Sequence, residues 1–500
     1  MNLHKLFINN ILLKSRSKIL FCISFILIFA NYSCKKFVEV PIPETLTNSE
    51  QMFTSDAKAI SVLTAIYSRM SPYTINDIEN IPSISFFIGL SSDEFTLYDP
   101  LNDQDPIRKG LYTNSLNSTL GIKYFQNFYA IIYKANVALN AIIKSSSLNS
   151  KVKQQLMGEC RFIRAFSYFY LTNIYGDVPL VLGTDYKING LLPRVSKSEI
   201  YSQVILDLKE ANTLLNENFL DGTLLSTTKE RVRPTKWAAT ALLARVFLYN
   251  KDYVNAEAEA SKIIDKNDFF SLVSLNDVFL KNSNEAIWQI QSVNDGFITP
   301  DARAFILPTS GPVSHSFPLY LSQHMLDSFE PGDKRKSEWV GTRTVNGIDY
   351  NYPHKYKVNT INSSSIEYST VLRLGEQYLI RAEAREEQNK ISEAVKDINI
   401  LRSRSRSNLT SDILHPLPDL QTGLSQNKVL DAILHERQVE LFSEWGHRWF
   451  DLKRSGKINS VMPSVTLGKG GIWSSNWQLY PIPIRELMVN PNLYQNIGYN

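Results

Sequence analysis

Two stretches of this chain repeat each other at a fixed spacing, and that repetition narrows the possible folds more than any other feature. "ALLARVFLYNKDYVNAEAEASKII" and "YLIRAEAREEQNKISEAVKDINILR" superpose at an offset of 138, with Ala244 on Ala382, Asn250 on Gln388 and Ala256 on Ala394. Each has a small residue midway along one helical stretch, a short polar turn, and an alanine early in a second helix. Small residues there let two antiparallel helices approach closely, as in a tetratricopeptide hairpin, and such hairpins are stable only when stacked on neighbours.

Much of the remaining chain has the same character. Helical periodicity runs through "SDAKAISVLTAIYSRM", "YFQNFYAIIYKANVALNAII" (124–143), "KVKQQLMGECRFIRAFSYFYLTNIYG" (151–176) and "SKSEIYSQVILDLKEANTLL" (196–215). The last opens on a capping-box pattern, Ser196 to Glu199. Residues 77–120 and 285–365 are instead rich in Ser, Asn, Asp, Pro and aromatics, and "EAIWQIQ" within the second predicts a strand. Long irregular segments on a rigid helical frame are where binding usually resides. The expected fold is mainly α: tetratricopeptide-like helical hairpins carrying a loop-rich insert with short strands. The expected divisions are 53–284, an insert at 285–370, and 371–500 ending in a packed tail.

The first residues predict export. Lys5, Lys14, Arg16 and Lys18 precede the apolar run "ILFCISFILIFA" (19–30), which has the length of a signal-peptide core and not of a membrane span. Ser33 and Cys34 follow, as in a bacterial lipobox, so Cys34 is the expected lipidation site, with 1–33 the leader and 34–52 a tether. Removing the leader takes four cations and no acid, leaving 49 of the 53 basic side chains against 49 acidic ones. That balance argues against nucleic acid as a partner. With Cys22 removed and Cys34 acylated, only Cys160 remains, so no intramolecular disulfide is expected.

"GECRFIRAFSYFYLTNIYGDVPLV", "PTKWAATALLARVFLYNKDY", the second repeat, "ERQVELFSEWGHRWFDLKRSG" and "LYPIPIRELMVNPNLYQNIGY" occur in that order after "CKKFVEVPIP". In these stretches the chain resembles the SusD/RagB family of Bacteroidota outer-membrane lipoproteins from Cys34 to Tyr499. The resemblance implies a helical protein of four tetratricopeptide-like hairpins, lipid-anchored in the outer membrane and facing the extracellular side. It implies capture of nutrient oligomers, usually oligosaccharides and in some members peptides. It also implies a SusC-like TonB-dependent transporter as partner, no cofactor, and binding in place of catalysis. The chain has one acid, Glu39, shortly after Cys34, where surface-export signals in these bacteria are often acid-rich.

Residues 435–456, "HERQVELFSEWGHRWFDLKRSG", carry the densest chemistry. Read as one helix, they place Glu436, Glu440 and Glu444 one turn apart, with Arg437 in reach of Glu440 or Glu444 and Arg448 in reach of Glu444 or Asp451. Glycosidase carboxylates must instead face each other across a bond, so the expected role is scaffolding. "HERQV" has Val439 where a zincin helix needs its second histidine, and "LGKGG" (467–471) lacks the spacing of a phosphate loop. "RSRSRS" (402–407) ends a helix, where cations offset the dipole. Ligand capture needs exposed rings and planar hydrogen-bonding groups. By position within the family's variable loops, the candidates are Tyr98, Asn102 and Asp103 in "SSDEFTLYDPLNDQD", and Phe297, Asp301, Arg303 and Phe305 in "NDGFITPDARAFILP", with Trp339 in addition. Trp237, Trp288, Trp445 and Trp449 are expected in the core. The competing classes are a surface enzyme, with a reactive cluster outside the repeats, and a scaffold lipoprotein with no concave ligand site.

Overall fold

In order along the chain, the longer helices are α1 (Asp56–Arg69), α2 (Ile84–Ser91), α3 (Pro106–Tyr112), α4 (Tyr124–Lys144), α5 (Ser150–Tyr175), α6 (Lys197–Leu214), α7 (Lys236–Tyr249), α8 (Tyr253–Ile264), α9 (Leu374–Glu387), α10 (Ile391–Ser405), α11 (Gln426–Leu441), α12 (His447–Arg454) and α13 (Ile458–Gly468). They are taken from a computed structural model that describes residues 52–71, 84–120, 122–292, 298–314, 316–360, 366–410, 413–414 and 416–499. The lipidation candidate Cys34 and the ligand candidate Phe297 lie outside the described residues.

The offset of 138 is structural. Adding it to the bounds of α7 gives those of α9, and adding it to the start of α8 gives the start of α10. The turns correspond as well, with Lys251 and Asn389 both left-handed at φ 61°. Ala244, Ala382, Ala256 and Ala394 are all buried. The hairpins stack through α8 and α9, and Glu257 of α8 receives Arg385 at 2.9 Å and Lys390 at 2.6 Å. α5 packs between α4 and α6, and every residue from Phe162 to Tyr175 is buried, as an all-round apolar helix requires. Arg164 ties the three together, reaching Asp207 at 2.6 Å and Asn136 at 2.8 Å. Ser196 caps α6 through the Glu199 amide, as its sequence predicts.

The strands form four two-stranded antiparallel pairs among the described residues. β1 (Phe95–Leu97) pairs with β5 (Leu319–Leu321), β2 (Val178–Pro179) with β3 (Arg194–Val195), β4 (Ala286–Ile290) with β8 (Ser369–Arg373), and β6 (Val340–Val345) with β7 (Ile348–Pro353). β4 is the strand expected from "EAIWQIQ", and all five of its residues are buried. β6 and β7 turn at Asn346–Gly347, both at positive φ, which is the preferred two-residue hairpin chemistry. The C-terminal tail packs back as expected: Tyr480 donates its amide to the Ile174 carbonyl, and Asn496 donates to the Tyr175 carbonyl.

Residues 435–456 depart from the expected single helix. α11 stops at Leu441, and the chain reverses through left-handed Ser443, Trp445 and Gly446 before α12. Gly446 has φ 72°, and a Cβ there would stand 2.9 Å from Ile88 of α2, so the turn needs a glycine for both conformation and space. The expected local ion pairs are therefore replaced by distant ones. Arg437 pairs with Asp451, and Arg448 crosses to Asp93. Trp288, Trp445 and Trp449 are buried as expected, whereas Trp237 is half-buried beneath Lys236 and Lys266.

Candidate functional site

Strand alternation builds the site. In the β1–β5 pair, Phe95, Leu97, Leu319 and Leu321 point into the core, while Thr96 and Tyr320, which are directly paired, face outward. The Tyr98 amide extends the pairing by donating to the Pro318 carbonyl at 2.7 Å. β7 brings Tyr350 alongside, with ring centroids 6.0 Å from Tyr98 and 5.3 Å from Tyr320, both edge to face. The three half-buried tyrosines form an aromatic shelf. Burial raises the Tyr320 phenol, and the neighbouring Tyr350 and Tyr98 add to the shift.

A cleft of about 510 Å³ opens next to the shelf, between the loop after Tyr98, α3 and the turn after α13. Its walls include Leu101, Gln104, Lys109, Tyr112, Ser115 and Lys469. Tyr112 lines the cleft, and burial raises its phenol, with the neighbouring Tyr320 adding to the shift. The loop is locally braced. Asp99 is left-handed at φ 48° and accepts both 3.0 and 3.1 Å bonds from the Asn102 amide. Asp105 caps α3 by accepting from the Ile107 and Arg108 amides. Left-handed backbone is uncommon at most non-glycine residues, and Asp is among those that adopt it in loops.

A charged base lies beneath β1. Asp93 accepts from Arg448 at 2.6 and 2.8 Å and from His324 at 2.9 Å. Burial opposes its ionisation, yet Arg448 and His324 hold it well below the usual carboxylate range. Its neighbour Glu94 behaves oppositely: burial, reinforced by the Asp93 charge, pushes it up to about 8, although the Ser443 amide donates to it. Ser322 donates its amide to the Glu94 carbonyl and its hydroxyl to the Asp93 carbonyl, fixing the strand that carries Tyr320.

The sequence candidates divide accordingly. Tyr98 lies on the shelf, and Asn102 is exposed on the adjoining loop with its amide engaged by Asp99. Arg303 is half-buried on the short helix Pro300–Phe305. Asp103 is buried against Arg108 at 2.8 Å, and Phe305 stacks on Phe95 at 5.3 Å, so both are packing residues. Trp339 is corrected outright: it is 0% exposed, donates Nε1 to the Leu275 carbonyl at 2.9 Å, and carries the Lys355 ammonium 4.6 Å over its ring. A ring with no exposed face cannot stack on a ligand. Sequence reasoning missed Tyr320 and Tyr350. The Asn346–Gly347 turn is the signal that could have put Tyr350 on a hairpin strand, but nothing local put Tyr320 beside it.

The glutamates of the C-terminal half are occupied by cations. Glu440 accepts from Arg335 at 2.9 Å, Arg373 at 2.7 Å and Arg404, and these guanidinium groups hold it well below its ordinary value despite burial. Glu436 is ion-paired with Arg335 at 2.6 Å and accepts from Arg402 at 3.2 Å; Glu444 accepts from Arg373 and Lys355. Arg335, Lys355 and Arg373 come from the irregular segment between α8 and α9, so this network fastens the insert to α11 and the turn after it. His435 of "HERQV" faces the Ser328 carbonyl at 2.8 Å, and Val439 is buried.

Residues 48–248 match a family model described as starch-binding associating with outer membrane, and residues 330–499 match the SusD family model. Among similar proteins, SusD-like protein P25 of Formosa agariphila is 24% identical over 95% of this chain and 97% of its own length. SusD-like protein P2 of the same organism is 27% identical over 75% and 79%. A SusD superfamily protein from Bacteroides vulgatus has a solved structure with a TM-score of 0.72, at 19% identity, covering 90% of this chain and all of that one. A SusD-like carbohydrate binding protein from the same species has a TM-score of 0.66, at 20% identity, covering 81% and 84%.

Proposed function

This chain belongs to the SusD family, and on that footing we propose that it captures nutrient oligomers, chiefly oligosaccharides, at the tyrosine shelf and its cleft. The observation that carries the reading is the convergence of Tyr98, Tyr320 and Tyr350 next to an open cleft. Ring faces pack against the C–H faces of sugars, and the polar edges of Tyr and Gln side chains meet hydroxyls. Asn102, Phe297 and Arg303 belong to this reading as contacts drawn from the sequence. Captured oligomers pass to a SusC-like TonB-dependent transporter, and Cys34 carries the lipid that anchors the protein in the outer membrane, facing outward. The described residues contain no helix long and apolar enough to cross a membrane. One matching family model is described as starch-binding and one similar solved structure as carbohydrate binding, and the buried Glu436, Glu440 and Glu444 are engaged by arginines; both favour binding over surface glycoside hydrolysis.

Isothermal titration of the protein starting after Cys34, against plant, host and microbial polysaccharides and a peptide digest, tests this. The expected result is saturable heat with one glycan class, weakened at least about tenfold by Tyr98→Ala or Tyr350→Ala, the loss of roughly 1.4 kcal/mol. Heat from peptides alone would move the ligand class to peptides. Silence throughout would overturn capture by this chain alone and favour a scaffold.

A further inference from the structure

The cleft beside the shelf contains two cations without an acid of their own. Lys469 follows α13 and places its ammonium under the cleft, donating to the carbonyls of Leu90 and Ser92 and lying 4.9 Å from the centre of the Tyr112 ring. Carbonyl oxygens and a ring face orient an ammonium but do not neutralise it. Lys109 of α3 lines the same cleft, with no acid within ion-pair distance among the described residues. The acids nearby are already matched: Asp103 and Asp105 share Arg108 at 2.8 and 3.3 Å, and Asp93 is held by Arg448 and His324.

Resting on the capture reading above, we propose that the cleft receives the anionic group of an acidic glycan, a uronate carboxylate or a sulfate ester, between Lys109 and Lys469, while the tyrosine shelf holds the adjoining sugar face. Gln104 in the same wall spends one amide N–H on the Asn102 carbonyl and keeps the other, a neutral donor of the kind such an oxyanion group also needs. The energetic case is specific to Lys469. Burial lowers its ammonium to about 7, even though Asp93 and Glu94 favour the charge. An anion entering the cleft restores the charged form and gains a desolvated partner, whereas a neutral sugar leaves the cation uncompensated. The position is sterically exacting. A Cβ on Gly471 would stand 2.1 Å from the Thr113 carbonyl, so the turn bearing Lys469 sits directly on the end of α3.

The test is titration of the protein starting after Cys34 with an oligogalacturonate and its methyl-esterified form, and with a sulfated galactan oligosaccharide and its desulfated form. Within each pair the sugar backbone is the same and the anionic group is either esterified or removed, and the two pairs separate carboxylate from sulfate. The expected result is binding of one acidic member and loss of roughly tenfold or more in affinity on neutralising it. Lys109→Gln and Lys469→Met should each weaken the acidic member by a similar factor, and added salt should weaken it further. Lys109→Gln touches no buried bond, so its melting temperature serves as the fold control for Lys469→Met. Equal affinity for charged and neutralised members, unchanged in both lysine variants, would overturn the acidic assignment and leave glycan capture standing. No binding of any glycan, these or the wider panel, would overturn both.

Discussion

Arg373 provides the sharpest test of how this fold is held together. Its five N–H groups are all used: Nε and Nη2 on Glu444, each at 2.9 Å, Nη1 on Glu440 at 2.7 Å and Glu285 at 3.0 Å, and Nη2 also on the Glu440 carbonyl at 2.8 Å. The side chain is fully buried. Arg373→Met keeps most of the volume and removes the charge. Glu440 would keep Arg335 and Arg404, and Glu285 would keep Arg404, but Glu444 would be left with Lys355 alone. Breaking a buried pair from one side strands the remaining charge, and the expected loss is about 3–5 kcal/mol. Urea unfolding followed by tryptophan fluorescence reads it as a fall in midpoint at constant slope. The control is Lys457→Met, whose partner Asp431 and own side chain are about half exposed or more, so its loss should be under about 1 kcal/mol. A loss for Arg373→Met no larger than the control's would refute the reasoning, because the carboxylates would then have found water or protons without cost. Adding Glu444→Gln to Arg373→Met should recover part of the loss if the stranded charge is its cause.

Further outcomes follow from individual contacts. Trp339→Ala should cost about 3–5 kcal/mol of stability by leaving a cavity under Lys355, read by the same urea titration, and ligand affinity per folded molecule should hold. For Glu94, the folded value of about 8 stands above the ordinary 4.5, so its contribution to stability is full below about 4.5 and is lost as pH rises through 8. Glu94→Gln should therefore gain stability relative to the parent between pH 5 and 9, and parallel pH dependence of the two proteins would contradict that. Asp93, Glu440 and Glu444 have the opposite sign: they are depressed, so stability falls as pH drops below the ordinary carboxylate range in both proteins. Gly471→Ala should push the turn off α3 and weaken ligand binding in titration while leaving helix content by circular dichroism unchanged.

Where the sequence was legible, the signal was local and periodic. The hairpins α7/α8 and α9/α10 could be placed from alanine spacing and a shared polar turn, and "EAIWQIQ" marked β4 without help from elsewhere. Residues 435–456 misled because Ser443, Trp445 and Gly446 break the helix while the surrounding spacing still imitates one. Arg373 and Arg335 reach those glutamates from 67 or more positions away in the chain, which no window of spacing can detect. Trp339 fell on the wrong side of the same limit. An aromatic in an irregular segment looks available until the strands and cations that cover it are assembled. Tyr98 was singled out because its loop is polar and turn-rich. Tyr320 and Tyr350 join it only through the β1–β5 pairing and the β6–β7 hairpin, a juxtaposition made in three dimensions.

The buried network also sets a rule for exchanging parts between related proteins. Arg335, Lys355 and Arg373 are supplied by the segment that bears Tyr320 and Tyr350, while Glu436, Glu440 and Glu444 are supplied by α11 and the turn after it. A graft that moves the aromatic loops alone would bring cations without their acids, or leave acids without their cations. The transferable cassette is therefore the continuous stretch from the insert through α11 and its turn, because Arg402 and Arg404 of α10 hold the same acids. Chimaeras built on that boundary should fold; those cut at the edge of the loops should accumulate as insoluble chains.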